Sequence, residues 1–159
     1  MVGADVPPSI GRLVRLVNKA DFERVLATPS CSRTAHFAVH HVAGRPTAPV
    51  WRHAPAQAAE LSTDGAPSSG VPVDDLPEGH WLGAVIPKRH ARRSVTRSLL
   101  KRQIRGALGR HAGRLPPGLW LVRLRAPFPV SQFPSAASDA LRQAARVELD
   151  SLLARARSR

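Results

Sequence analysis

Along the chain, apolar positions fall into helical and alternating spacings that mark six elements, with one long stretch that shows neither. Phe22, Val25 and Leu26 stand at i, i+3 and i+4, which predicts a short helix with one apolar face. Asn18 is placed to cap it, and Asp21 lies where a carboxylate favours the positive dipole end. Thr28, Pro29 and Ser30 stop that helix, and Arg12–Val17 before it is a mixed apolar and basic lead-in. Ala35–Ala43 reads as a strand. Phe37, Val39 and His41 alternate there with His36, Ala38, His40 and Val42, so neither face is plainly the buried one. His80–Ile86 is the clearest strand and ends at Pro87; Gly83 in its middle predicts close approach of another backbone. From about Arg92 the spacing turns helical. At about 100° per residue, Val95, Leu99, Leu100, Ile104 and Ala107 share one broad side, and the helix fades around Gly109–Gly113. Leu119–Arg125 is a third strand, between a turn at Leu115–Gly118 and the break at Ala126–Pro129. Ser138 or Asp139 can cap a last helix whose stripe, Leu141, Ala145, Leu149, Leu152 and Ala156, fits within an arc of about 80°. Its final turn, with Arg155, Arg157 and Arg159, is expected to fray. The order helix, strand, loop, strand, helix, strand, helix predicts an α+β fold with helices against one sheet.

The unpatterned stretch is Gly44–Gly79. It holds six prolines and five of the eleven acids among many Ala, Ser and Gly. Such composition buries little surface and predicts a flexible insertion between two strands that would otherwise be able to form a hairpin. At 159 residues the expectation is a single domain over 1–159, with its ordered core at about 12–43 and 80–156. Met1–Ile10 carries Asp5 and two prolines and no apolar core, unlike a secretion signal, and no run reaches the ~18–20 apolar residues of a membrane span. A cytoplasmic protein is expected. The single cysteine, Cys31, excludes an internal disulfide and suits a reducing compartment. It reads as a small half-buried residue rather than a nucleophile.

Charge changes the picture. The formal net charge is +13 and the pI about 11.8, which points to nucleic acid ahead of a membrane surface or an acidic protein. Between Lys88 and Arg105 there are eight Lys or Arg and no acid. Arg97, Lys101 and Arg105 follow one another at i, i+4 and i+8, with Arg102 beside them, and each like-charged pair costs a few tenths of a kcal/mol. From Gly79 through Ser138 there are twelve Lys or Arg and no acid to relieve them. An ordinary solvated face mixes signs; this stripe calls for an external polyanion. A basic amphipathic helix can also lie on an anionic membrane, but the apolar side here lacks Trp and Phe and is needed against the sheet. His36, His40, His41 and His53 match no closed zinc site, and no protein metal site is expected. These histidines read as strand-surface or RNA-facing groups. With no acid evident to orient them, hydrolysis of RNA by a histidine pair is disfavoured. The acids form no paired cluster able to hold catalytic metal ions either.

The run Gly83-Ala84-Val85-Ile86-Pro87-Lys88-Arg89, with Ile86 at the position where the pattern has Val, followed by Arg92, Arg93, Arg97, Ser98, Lys101, Arg102 and Arg105, closely resembles the signature of the bacterial ribonuclease P protein family. That signature is a strand end of pattern G-x-x-V-x-K-[KR] leading into a basic helix. The surroundings are similar too. Arg15, Leu16, Asp21, Phe22, Val25 and Leu26 resemble the family's opening, His36 and Phe37 its first strand, and Leu119–Ala126 with the terminal helix its end. The resemblance covers about 13–43 and 80–156. Ser98 stands where the family usually has Asn, and Gly106 where it often has Glu. The first change affects a polar contact; the second raises local positive charge.

The resemblance implies an αβββαβα sandwich with a four-stranded sheet and a left-handed βαβ crossover. It also implies a role as the protein subunit of ribonuclease P, beside a catalytic RNA. The complex would remove the 5′ leader of precursor tRNA with Mg2+ held mainly by RNA and substrate, so no catalytic residue is expected in the protein. No obligate protein partner is implied. Lys88, Arg89, Arg92, Arg93, Arg97, Ser98, Lys101, Arg102 and Arg105 would contact RNA. Phe22, Phe37 and His40 occupy positions matching the family's leader cleft, where stacking is worth roughly 1–3 kcal/mol per base. For Phe22 and Phe37 a core role fits the spacing equally well. The alternatives are a non-catalytic RNA-binding or ribosome-associated module, and a DNA-compacting basic protein.

Overall fold

The computed structural model of the protein describes residues 13–47 and 79–156. Its strands are β1 (Leu13–Arg15), β2 (Ser32–Arg33), β3 (Phe37–Val42), β4 (His80–Val85) and β5 (Gly118–Leu124). Its α-helices are α1 (Lys19–Leu26), α2 (Ser94–His111) and α3 (Asp139–Ala156), and a 3-10 turn, Ala112–Arg114, follows α2. One mixed sheet runs β1-β4-β5-β3-β2. The pairs β1/β4 and β4/β5 are parallel, and β3/β5 and β2/β3 antiparallel.

After β1 the order is the expected αβββαβα. The sheet, however, has five strands rather than four. The lead-in forms the extra one, pairing Leu13 with His80 and Arg15 with Leu82, and the Leu16 amide continues the ladder to the Leu82 carbonyl at 2.8 Å. The strands on either side of the insertion are not hairpin neighbours, because β5 lies between β3 and β4. Of the insertion, 48–78 lies outside the described residues, as do His53 and the last three residues.

Helices cover both faces of the sheet, which is why β3 shows no polar face. Phe37, Val39, Leu82, Trp120, Val122 and Leu124 meet Leu100, Ile104 and Leu108 of α2 and Leu141, Leu149 and Leu152 of α3 in the main core. Leu119 and Leu121, on the opposite face, pack with Leu16 and with Val25 of α1, flanked by Phe22, Leu26 and Trp81. Ser138 caps α3, its hydroxyl accepting from the Leu141 amide at 3.1 Å, and Asn18 caps α1 through the Ala20 amide. Two details depart from the sequence reading. Val95 is exposed, because the first turn of α2 is tied outward by the Thr96 hydroxyl donating to the Ala136 carbonyl at 2.7 Å. The close approach at Gly83 comes from a ring: a Cβ there would lie 2.7 Å from Phe22 Cε1. Gly118, at φ +136°, does meet backbone, since a Cβ would lie 2.5 Å from the Val42 carbonyl oxygen.

Candidate nucleic-acid interface

The apolar half of α2 is consumed by the sheet and α3, so its basic half must face outward. Lys88, Arg89, Arg92, Arg93, Ser98, Lys101, Arg102 and Arg105 are all exposed. The described residues contain five carboxylates, and each is engaged elsewhere: Asp21 by Arg24, Glu23 by Lys19, Asp139 by Arg142, Glu148 by His36 and Asp150 by Arg110 and His111. None of the eight cations from Lys88 to Arg105 forms an ion pair among the described residues.

Arg97 differs from its neighbours. It is half-buried, and its Nη1 donates to the Ala91 carbonyl at 2.9 Å and the Arg92 carbonyl at 2.6 Å. It fastens the turn that launches α2, which carries no side-chain cap of its own. Arg93 similarly reaches the Pro134 carbonyl at 3.3 Å.

The stripe borders a groove of about 280 Å³ lined by Leu13 to Leu16, Phe22, Leu82 to Ala84, and by Lys101, Arg102 and Arg105. Phe22 and the later stripe residues are thus brought together. Arg15, exposed on β1, joins them; its place beside the stripe depends on β1 pairing at the sheet edge, which chain order does not show. The other two cleft residues part company. Phe37 is fully buried and lies on the face under α2 and α3, with its ring 5.8 Å from Phe128. It is a core residue and does not line an open cleft. His40 is buried on the α1 side, with Nδ1 2.9 Å from the Thr28 carbonyl.

His36 and His41 are also held by the fold. His36 stacks on Phe128 at 4.0 Å and pairs with Glu148 at 2.7 Å. His41 stacks on Trp120 at 4.2 Å, with Nε2 3.1 Å from the Pro117 carbonyl. His36 and His111 do have orienting carboxylates, contrary to the sequence reading, supplied by Glu148 and Asp150 of α3. Burial pushes Glu148 upward, but hydrogen bonds from Thr34 and His36 and the charge of His36 outweigh it, leaving its pKa lowered. The pKa of His41 is lowered by burial, against the pull of the Pro117 carbonyl. Among the described residues, no three His, Cys, Asp or Glu are grouped to hold a metal ion, and no helix is long and apolar enough to cross a membrane.

The family model described as Ribonuclease P matches residues 10–155. The ribonuclease P protein component of Paraburkholderia xenovorans is 31% identical over 147 residues, covering 91% of this chain and 81% of that protein. The component from Bordetella parapertussis is 42% identical over 80 residues, covering 50% of this chain and 61% of that relative's length. In three dimensions the fold is similar to the ribonuclease P protein of Staphylococcus aureus, with a TM-score of 0.53 at 18% identity, over 88% of this chain and 92% of that one.

Proposed function

Because this chain belongs to the ribonuclease P protein family, we propose that it is the protein subunit of a ribonuclease P and acts in the 5′ maturation of tRNA. The observation that carries this reading is the exposed cationic face of α2, whose charges no described carboxylate neutralises. A folded catalytic RNA supplies the missing anions. Contacts to its phosphates position the protein and are largely blind to sequence.

In this reading the endonucleolytic step belongs to the RNA, with Mg2+ held by RNA and substrate. The protein's contribution is to bind the catalytic RNA through α2 and to hold the precursor's leader beside Phe22 and the Lys101–Arg105 end of the stripe. The setting is the cytoplasm, where tRNA precursors are processed in bacteria.

The test is reconstitution with the cognate catalytic RNA at low Mg2+. Wild-type protein should restore precursor cleavage. The Lys101→Ala, Arg102→Ala, Arg105→Ala triple variant should need much higher protein concentration. RNA binding without restored cleavage would instead favour a non-catalytic RNA-binding module, and equal affinity for duplex DNA a compacting protein.

A further inference from the structure

At the other end of α2, away from the Phe22 groove, a second recess of about 330 Å³ opens between the helix's first turn and the segment joining β5 to α3. Its lining is mainly apolar. Phe128 and Phe133 meet edge to face at 5.6 Å, and Leu100 and Leu141 close the interior. Its rim is cationic: Arg89, Arg92 and Arg93 are all exposed there. Among the described residues, no carboxylate lines it. The outer wall is braced by two bonds from α2, Thr96 to the Ala136 carbonyl and Arg93 to the Pro134 carbonyl. Val130, 71% exposed, stands at its lip.

An apolar, aromatic interior under a purely cationic rim is complementary to one chemical unit, a nucleotide with its base turned inward and its phosphates outside. The volume lies at the lower end of the range for small-molecule sites, about 300–1,000 Å³, which suits a base with part of its sugar. An acidic peptide would satisfy the rim and waste the interior; a lipid tail would do the reverse. The rim is continuous with the phosphate-binding stripe, so the occupant comes from the RNA already seated on it. The geometry points to this recess as a pocket for a single unpaired nucleotide extruded from the catalytic RNA. It rests on the function proposed above and gives the otherwise sequence-blind interface one point of register.

The test uses the assembled protein–RNA complex, with the photoreactive residue benzoylphenylalanine at Val130. Illumination should join the protein to one unpaired nucleotide of the catalytic RNA, located by a primer-extension stop. Cross-links scattered along helical RNA, or to the precursor's leader alone, or none in a complex that demonstrably forms, would overturn the pocket and leave the subunit role standing. Failure of the complex to form would overturn both. A second arm compares Ser135→Glu, at the rim, with Ala154→Glu, an exposed α3 position about 20 Å along the helix from Leu141. Both change the charge equally. Ser135→Glu should weaken binding about tenfold more than Ala154→Glu, in keeping with the loss of one stacked base. Equal weakening would count against the pocket.

Discussion

Single residues decide how far the charge pattern can be read as function. Arg97 belongs to the stripe by spacing, yet its guanidinium is turned back onto the Ala91 and Arg92 carbonyls. Replacing it removes two hydrogen bonds as well as a charge. Arg97→Ala should therefore lower stability by about 1–2 kcal/mol, whereas Lys101→Ala, which loses only repulsive neighbours, should leave the unfolding midpoint unchanged or raise it by a few tenths of a kcal/mol; urea titrations of both variants check this. Glu148 and His41 set the pH response. Each has a lowered pKa in the folded protein, so the unfolded chain binds more protons between the folded and ordinary values. Each therefore contributes stability that is present above its ordinary pKa and lost as pH falls through its folded one. Stability should begin to fall below about pH 6.5 from His41 and again below about pH 4 from Glu148. Glu148→Gln should abolish only the second decline, as seen in denaturant midpoints measured across that range. Glu148 could not be paired with His36 from the sequence, because 112 positions separate them and only the docking of α3 on β3 joins them.

At the scale of elements, legibility followed local periodicity. The α3 stripe and its Ser138 cap were readable because one helix satisfies both within its own turns. The stop at the end of β4 was readable for the same kind of reason, as Pro87 breaks it locally. What escaped depends on partners elsewhere. Three residues cannot show an alternation, so β1 emerged only through its parallel pairing with β4. The apparent disorder of pattern in β3 reflects helices on both its faces, and this placed Phe37 in the core rather than a cleft. Nothing in chain order reveals that β5 slips between β3 and β4. The packing of α1 on β4 offers a direct test. Gly83→Ala drives a methyl into the Phe22 ring and should cost about 1–3 kcal/mol. Combined with Phe22→Ala it should cost much less than the sum of the two single changes. Additive costs in that double-mutant cycle would show that the ring and the glycine do not oppose each other.

For the whole molecule, the net charge of +13 makes salt act in opposite directions on folding and on the RNA binding proposed above. The free protein holds a row of like charges on α2 with no acid within reach among the described residues. Screening by salt relieves that repulsion, so its unfolding midpoint should rise with ionic strength. In the proposed function, RNA binding depends on the same charges displacing condensed counterions. Its affinity should fall as a power of salt concentration, with an exponent of about 0.7–0.9 per phosphate neutralised. Replacing both Lys101 and Arg102 by Ala should therefore do two things at once. It should reduce the binding exponent by about 1.4–1.8 and flatten the salt dependence of the free protein's stability. Lys19→Ala, which removes an exposed charge already paired with Glu23, should do neither. Calorimetry of the free protein and binding titrations over the same salt series measure both effects. If the double variant keeps the full binding exponent, the α2 face is not where phosphates are neutralised, however open and basic it is.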